Sequence, residues 1–138
     1  MTRNRTLHPD AAILAMVPEI EARRARCLAL FGQEGALIDQ TIKRCPPPAG
    51  RVDDATNRAW LMRANKVEKK LGLPAVEAEA NKAEAELVAV LEQLNQTPAR
   101  TLDGLLLKAR MRQHHIDLGD GILADLDALA AGAPHATA

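Results

Sequence analysis

The 138 residues carry 18 Lys+Arg against 18 Asp+Glu, a formal net charge of zero, and 47% are hydrophobic although Phe31 and Trp60 are the only aromatics. Leu, Ile, Val and Phe supply 32 residues, too many for a chain that stays disordered, and most of the other apolar content is alanine. That excludes a sheet protein, which draws on Val, Ile, Tyr, Thr and Trp, and predicts a single all-α domain. No apolar run approaches the roughly 18 residues of a membrane span. The first ten residues turn polar instead of entering an apolar stretch, so no secretory signal is expected. Two cysteines, Cys27 and Cys45, are too few and too far apart for a disulfide scaffold or a metal-binding pair, and a cytoplasmic location is expected.

Residues 1–8 read as a flexible leader, and a helical domain is predicted over 9–131. Pro9 suits a first helical position, with Asp10 in the first turn. Val17, Ile20, Cys27, Phe31, Ile38 and Cys45 then fall on a 3-4 spacing, interrupted in the seam by Arg24, Glu34 and Thr41. Pro18 is expected to kink or restart this helix, and Gly32 and Gly35 to weaken it. Pro46-Pro47-Pro48-Ala49-Gly50 stops it near Arg44 and makes 46–52 a linker.

Asp53 or Asp54 caps a second helix with the seam Trp60, Ala64, Val67 and Leu71, and Gly72-Leu73-Pro74 has the pattern of a left-handed stop. A third helix begins at Pro74. Its seam, Val76, Ala80, Ala83, Leu87, Val90 and Leu94, is the most regular heptad-like run in the chain. Thr101 is the expected cap of a fourth helix with the stripe Leu102, Leu105, Ala109 and Ile116. The same count continues through Gly119 to Leu123, Leu126 and Ala130, which suggests one long helix with a weak middle. Residues 132–138 read as a disordered tail.

The zero net charge conceals a split of +5 over residues 1–70 and −5 over residues 71–138. Arg58, Arg63, Lys66, Lys69 and Lys70 fall within an arc of about 140° opposite the Trp60 face. Such a stripe is the footprint of phosphate or nucleic-acid binding. The favoured alternative is that the basic helix folds back on the acidic one, with its Glu77, Glu79, Glu84, Glu86 and Glu92, across Gly72. Arg23, Arg24 and Arg26 follow Glu19 and Glu21 at helix-pairing distances, so internal pairing is expected there as well.

No catalytic constellation emerges. His114 and His115 are adjacent and point about 100° apart on a helix, so they do not grip one ion. Asp53-Asp54 reads as a cap, and Asp125 and Asp127 as the polar face of a helix whose apolar side is Leu123, Leu126 and Leu129. Gly-rich phosphate loops, GxSxG and HExxH are absent from the sequence. The expectation is therefore a protein that is not an enzyme, with no catalytic residues, no metal and no cofactor. Trp60, Val67, Leu71, Leu87, Val90 and Leu94 are its core or interface candidates.

The run Thr97-Pro98-Ala99-Arg100-Thr101-Leu102-Asp103-Gly104-Leu105-Leu106-Leu107-Lys108-Ala109-Arg110 resembles a "TPArTxxGLxxKAR" segment. That segment marks a group of uncharacterised proteobacterial small helical proteins, often prophage-associated, which close with an "SLLxDL" helix. Here the closing element reads Gly121-Ile122-Leu123-Ala124-Asp125-Leu126, with Gly and Ile in place of Ser and Leu. The resemblance implies a bacterial, phage-related cytoplasmic protein and carries no activity with it. Within the segment, Gly104 is expected to let a backbone pass, and Lys108 and Arg110 to be exposed. The fold expected is an elongated bundle of antiparallel helical hairpins, with four to five helices and coiled-coil-like seams. Thin Ala-rich seams favour a homo-oligomer, a dimer in the simplest case, or a protein partner. Nucleic acid is the less favoured partner, and no membrane is expected.

Overall fold

A computed structural model describes residues 7–111 and 119–132. The described residues form five α-helices and no strand: α1 Ala11–Arg44, α2 Asp54–Leu71, α3 Leu73–Gln96, α4 Leu102–Met111 and α5 Gly119–Gly132. Expectations for residues 1–6, for the 112–118 junction with His114, His115 and Ile116, and for residues 133–138 lie outside the described residues. The chain is all-α, as its alanine- and leucine-rich composition requires.

Helix α1 runs unbroken through Pro18 for 34 residues, so the predicted restart does not occur. Ile13 and Ile20, both fully buried, hold the turns on either side of the proline to the interior. The buried row of α1 is Ile13, Ile20, Cys27 and Thr41, a single heptad position, joined by Cys45 just past the helix. Val17 and Phe31 of the expected stripe are half-buried and Ile38 is exposed.

Asp53 caps α2, its carboxylate accepting the Thr56 N–H at 2.7 Å, and this bond holds the Asp53 carboxyl below its ordinary pKa. Gly72 ends α2 in the left-handed region at φ 80, its N–H directed at the Glu68 and Lys69 carbonyls. The chain re-enters a helix at the next residue, Leu73. Of the predicted α3 row, Ala80, Ala83, Leu87, Val90 and Leu94 are buried and Val76 is half-buried, and Leu73 and Leu91 join them.

The chain divides into two compact units, a terminal unit (residues 1–24 and 85–138) and a central unit (residues 25–84). The division falls inside α1 and α3. In the terminal unit Arg23 of α1 pairs with Glu86 of α3 at 2.8 Å, and Asp10 reaches the turn after α3. Hence α1 and α3 run antiparallel there. The terminal core is leucine-rich, built from Ile13, Ile20, Leu87, Val90, Leu91, Leu94, Leu105 and Met111.

In the central unit Arg26 pairs with Glu79 at 3.0 Å, and the Trp60 indole N–H donates to the Cys45 carbonyl at 3.1 Å. Arg26 and Cys45 are 19 residues apart, and so are Trp60 and Glu79. Either separation is about 28 Å of helix. Contacts that keep step in this way require α2 and α3 to run in the same sense along α1. The antiparallel hairpin therefore closes across the 46–52 linker. It does not close across Gly72, because a hairpin there would bring Trp60 and Glu79 within about 8 Å of each other along the helix axis instead of about 28 Å.

Candidate functional site

Two clusters hold the side chains with chemistry to offer: a buried polar clamp around residues 95–108, and the outer face of α2. In the clamp, Asp10 is buried just ahead of α1. Its own carbonyl accepts the Leu14 N–H, so the backbone starts α1 while the carboxylate serves a different helix. Oδ1 accepts the Arg100 N–H at 2.7 Å and Oδ2 the Thr101 N–H at 3.0 Å, and the Thr101 hydroxyl also donates to Oδ2. The same hydroxyl accepts the Gly104 N–H at 3.2 Å, which makes Thr101 the cap of α4 as its position predicts.

Burial of Asp10 opposes ionisation, but the donors on Thr101 and Arg100, with His8 nearby, outweigh it and lower the pKa. Gly104 allows a close approach, though the approaching group is a side chain and not the backbone expected. A Cβ there would overlap the Asp10 carboxyl.

The second half of the clamp corrects two expectations. Lys108 is fully buried, not exposed, and Asp125 is buried, not on a solvated face. Lys108 Nζ lies 2.5 Å from Asp125 Oδ2, and that same oxygen accepts the Ala99 N–H at 3.1 Å. Nζ also donates toward the Asn95 carbonyl at 3.4 Å, near the C-terminal end of α3, where the helix dipole favours a cation. Asn95 Oδ1 is buried without a hydrogen-bond partner among the described residues.

The predicted apolar stripe is only partly inward: Leu105 is buried and Leu129 half-buried, but the other described leucines of the stripe face outward. Leu102 is 66% exposed, Leu123 is 60% exposed, and Leu126 is exposed too. The buried face of α4 is Gly104, Leu105, Lys108 and Met111, and α5 turns Asp125 inward between half-buried Ile122 and Leu129. In this orientation each buried charge has its partner, and the Asp125 carboxylate also has a backbone donor, which a buried pair requires. The missed signal was present in sequence. Lys108 sits three residues after Leu105 and three before Met111, and Asp125 three after Ile122 and four before Leu129, so both lie on an apolar helical face.

On the outer face of α2, Arg58, Arg63, Lys66, Lys69 and Lys70 are all exposed. The expected neutralisation by α3 does not form. The α3 carboxylates that pair, Glu79 and Glu86, take Arg26 and Arg23 of α1, with Glu19 also bonding Arg23. Among the described residues none of the five α2 cations has a carboxylate within ion-pair distance, and Arg58 Nε reaches only the Asp54 carbonyl. The reason is rotational: their arc lies opposite the face that packs, whereas Arg23 and Arg26 flank a buried row. Trp60 is half-buried and joins α2 to the end of α1; Val67 and Leu71 are half-buried beside it. Leu87, Val90 and Leu94 are core residues of the terminal unit. Cys27 and Cys45 are buried. Among the described residues no three His, Cys, Asp or Glu side chains come together to hold a metal ion. No described helix is long and apolar enough to cross a membrane.

Fold and site together define an all-α protein with a buried ionic clamp and an unneutralised basic helix. No family model, curated protein or solved structure matches this chain.

Proposed function

We propose that this chain is a non-enzymatic helical interaction and assembly protein that acts as a homo-oligomer, a two-fold dimer in the simplest case. Its setting is a bacterial cytoplasm, in keeping with the prophage-associated group that its 97–110 segment resembles. The observation that carries this reading is the open apolar face of α1 in the central unit. Its interior is small: Cys27, Thr41, Ala64, Ala80 and Ala83, with Leu73 the one large aliphatic among its buried residues. Its other large apolar side chains are half-buried or exposed, and three of those on α1 are open, with Leu28 55%, Ile42 47% and Ile38 40% exposed.

Leu28, Phe31, Gly35, Ile38 and Ile42 repeat at 3-4-3-4 along α1, a second seam beside the buried one. Exposed Ala25, Ala29, Gly32 and Ala36 lie next to it. A helix apolar around most of its circumference is normally covered. Gly32 and Gly35 each cost a helix about 1 kcal/mol relative to alanine, yet a Cβ at either would meet open space within the monomer. Close approach of a second helix gives those glycines a purpose.

Light scattering across a concentration series tests the reading. The expected result is a dimer that Leu28→Glu/Ile42→Glu converts to a helical monomer. A wild-type chain that stays monomeric and well folded at high concentration refutes it.

A further inference from the structure

We infer that the outer face of α2 is a docking surface for duplex nucleic acid, gripped through its phosphates without base readout. This surface is separate from the α1 seam and does not rest on the assembly reading. From Lys43 to Lys70 the chain carries eight basic and three acidic side chains, a net of +5 within 28 residues. Asp53 is committed to capping α2, Asp54 sits in the first turn of that helix, and Glu68 is half-buried. The exposed arc of α2 is thus left almost wholly cationic.

Charge complementarity selects the occupant. Arg58 and Lys70 are 12 residues apart, so the cations span about 18 Å of helix axis. A duplex presents one phosphate per roughly 1.7 Å of its length, dense enough to face every cation on that span. Met62, 66% exposed, and Ala59 lie among these cations, while Trp60 is turned to the other side and engaged by Cys45. With no aromatic on the arc, base stacking has nothing to work with, and this favours a paired duplex over a single strand. Side chains aimed at phosphates position a protein on nucleic acid without reading its sequence.

The test is fluorescence anisotropy of the full chain with a labelled 30-base-pair DNA of arbitrary sequence, titrated at several salt concentrations. Four to five phosphate contacts predict a log–log salt slope of about −4 per copy, hence roughly 200-fold weaker binding on a fourfold rise in salt. Arg58→Gln/Lys66→Gln/Lys69→Gln should flatten the slope by about 3, while Lys82→Gln on α3 should leave it unchanged. Circular dichroism confirms that each variant keeps its helices. Absence of binding at low salt, a slope unaffected by the triple variant, or tighter binding to a single strand of equal length overturns the inference. Equal or tighter binding to anionic lipid vesicles overturns the choice of nucleic acid.

Discussion

Removing the charge of Lys108 or of Asp125 singly should destabilise the terminal unit far more than removing both. In Lys108→Met the Asp125 carboxylate stays buried with only the Ala99 N–H as donor; in Asp125→Asn the ammonium stays buried facing a neutral amide. Breaking a buried pair from one side costs about 3–5 kcal/mol, because the surviving charge has neither water nor a counter-ion. Asn can still accept the Ala99 N–H, so the double variant Lys108→Met/Asp125→Asn retains that bond and leaves no net buried charge. Its cost should fall to about 1 kcal/mol, the scale of a lost hydrogen bond. The coupling between the sites is then about 5 kcal/mol or more, above the roughly 0.5–3 kcal/mol usual for contacting residues, because each single variant strands a buried charge. At about 3–5 °C per kcal/mol for a chain of this size, each single variant should melt about 10–20 °C below the wild type, with the double variant recovering most of the loss. Thermal and urea unfolding followed by circular dichroism read this directly. Single variants costing under about 1 kcal/mol, or a double variant whose loss equals the sum of the singles, would show that the pair is not a buried unit.

Gly104→Ala improves helix propensity but places a methyl on the Asp10 carboxyl; with the carboxylate displaced, a net loss of about 2 kcal/mol is expected from its charge-assisted bonds. A more stable variant in a thermal melt would sink the close-packing account. Asp10 has a folded pKa below its unfolded one, so its contribution is present above pH about 4 and fades as pH falls through the lower folded value. Asp10→Asn should therefore be less stable than wild type near neutrality, and that gap should narrow in denaturation series run toward pH 2. A gap that is constant with pH contradicts the ionised clamp. Gly32→Ala/Gly35→Ala separates monomer from assembly. In dilute monomer the pair should stabilise α1 by about 1–2 kcal/mol, while the dimer dissociation constant measured by sedimentation should rise. Tighter dimerisation would remove the close-approach role of those glycines.

Local chemistry was enough to place most of the helices. Alanine and leucine content, the proline run at 46–48, the Asp53 and Thr101 caps and the Gly72 stop each act within a few residues, and the structure follows them. The α3 row from Ala80 to Leu94 was legible because every position in it is apolar. Tertiary structure decided the rest. Whether α2 folds back on α3 or continues along α1 depends on contacts 15 to 53 residues apart, Cys45 with Trp60 and Arg26 with Glu79, which no local pattern encodes. The fate of Lys108 and Asp125 turned on their finding each other across 17 residues, together with a backbone donor at Ala99. Without a partner in view both charges belong on the surface; paired, they share the buried faces of α4 and α5 with Leu105 and Met111, and Leu102, Leu123 and Leu126 lie exposed. The zero net charge likewise says little until the fold assigns partners. The acids of α3 are drawn to the arginines flanking the buried row of α1, and the basic arc of α2, on the side away from all packing, is left to solvent or to a partner.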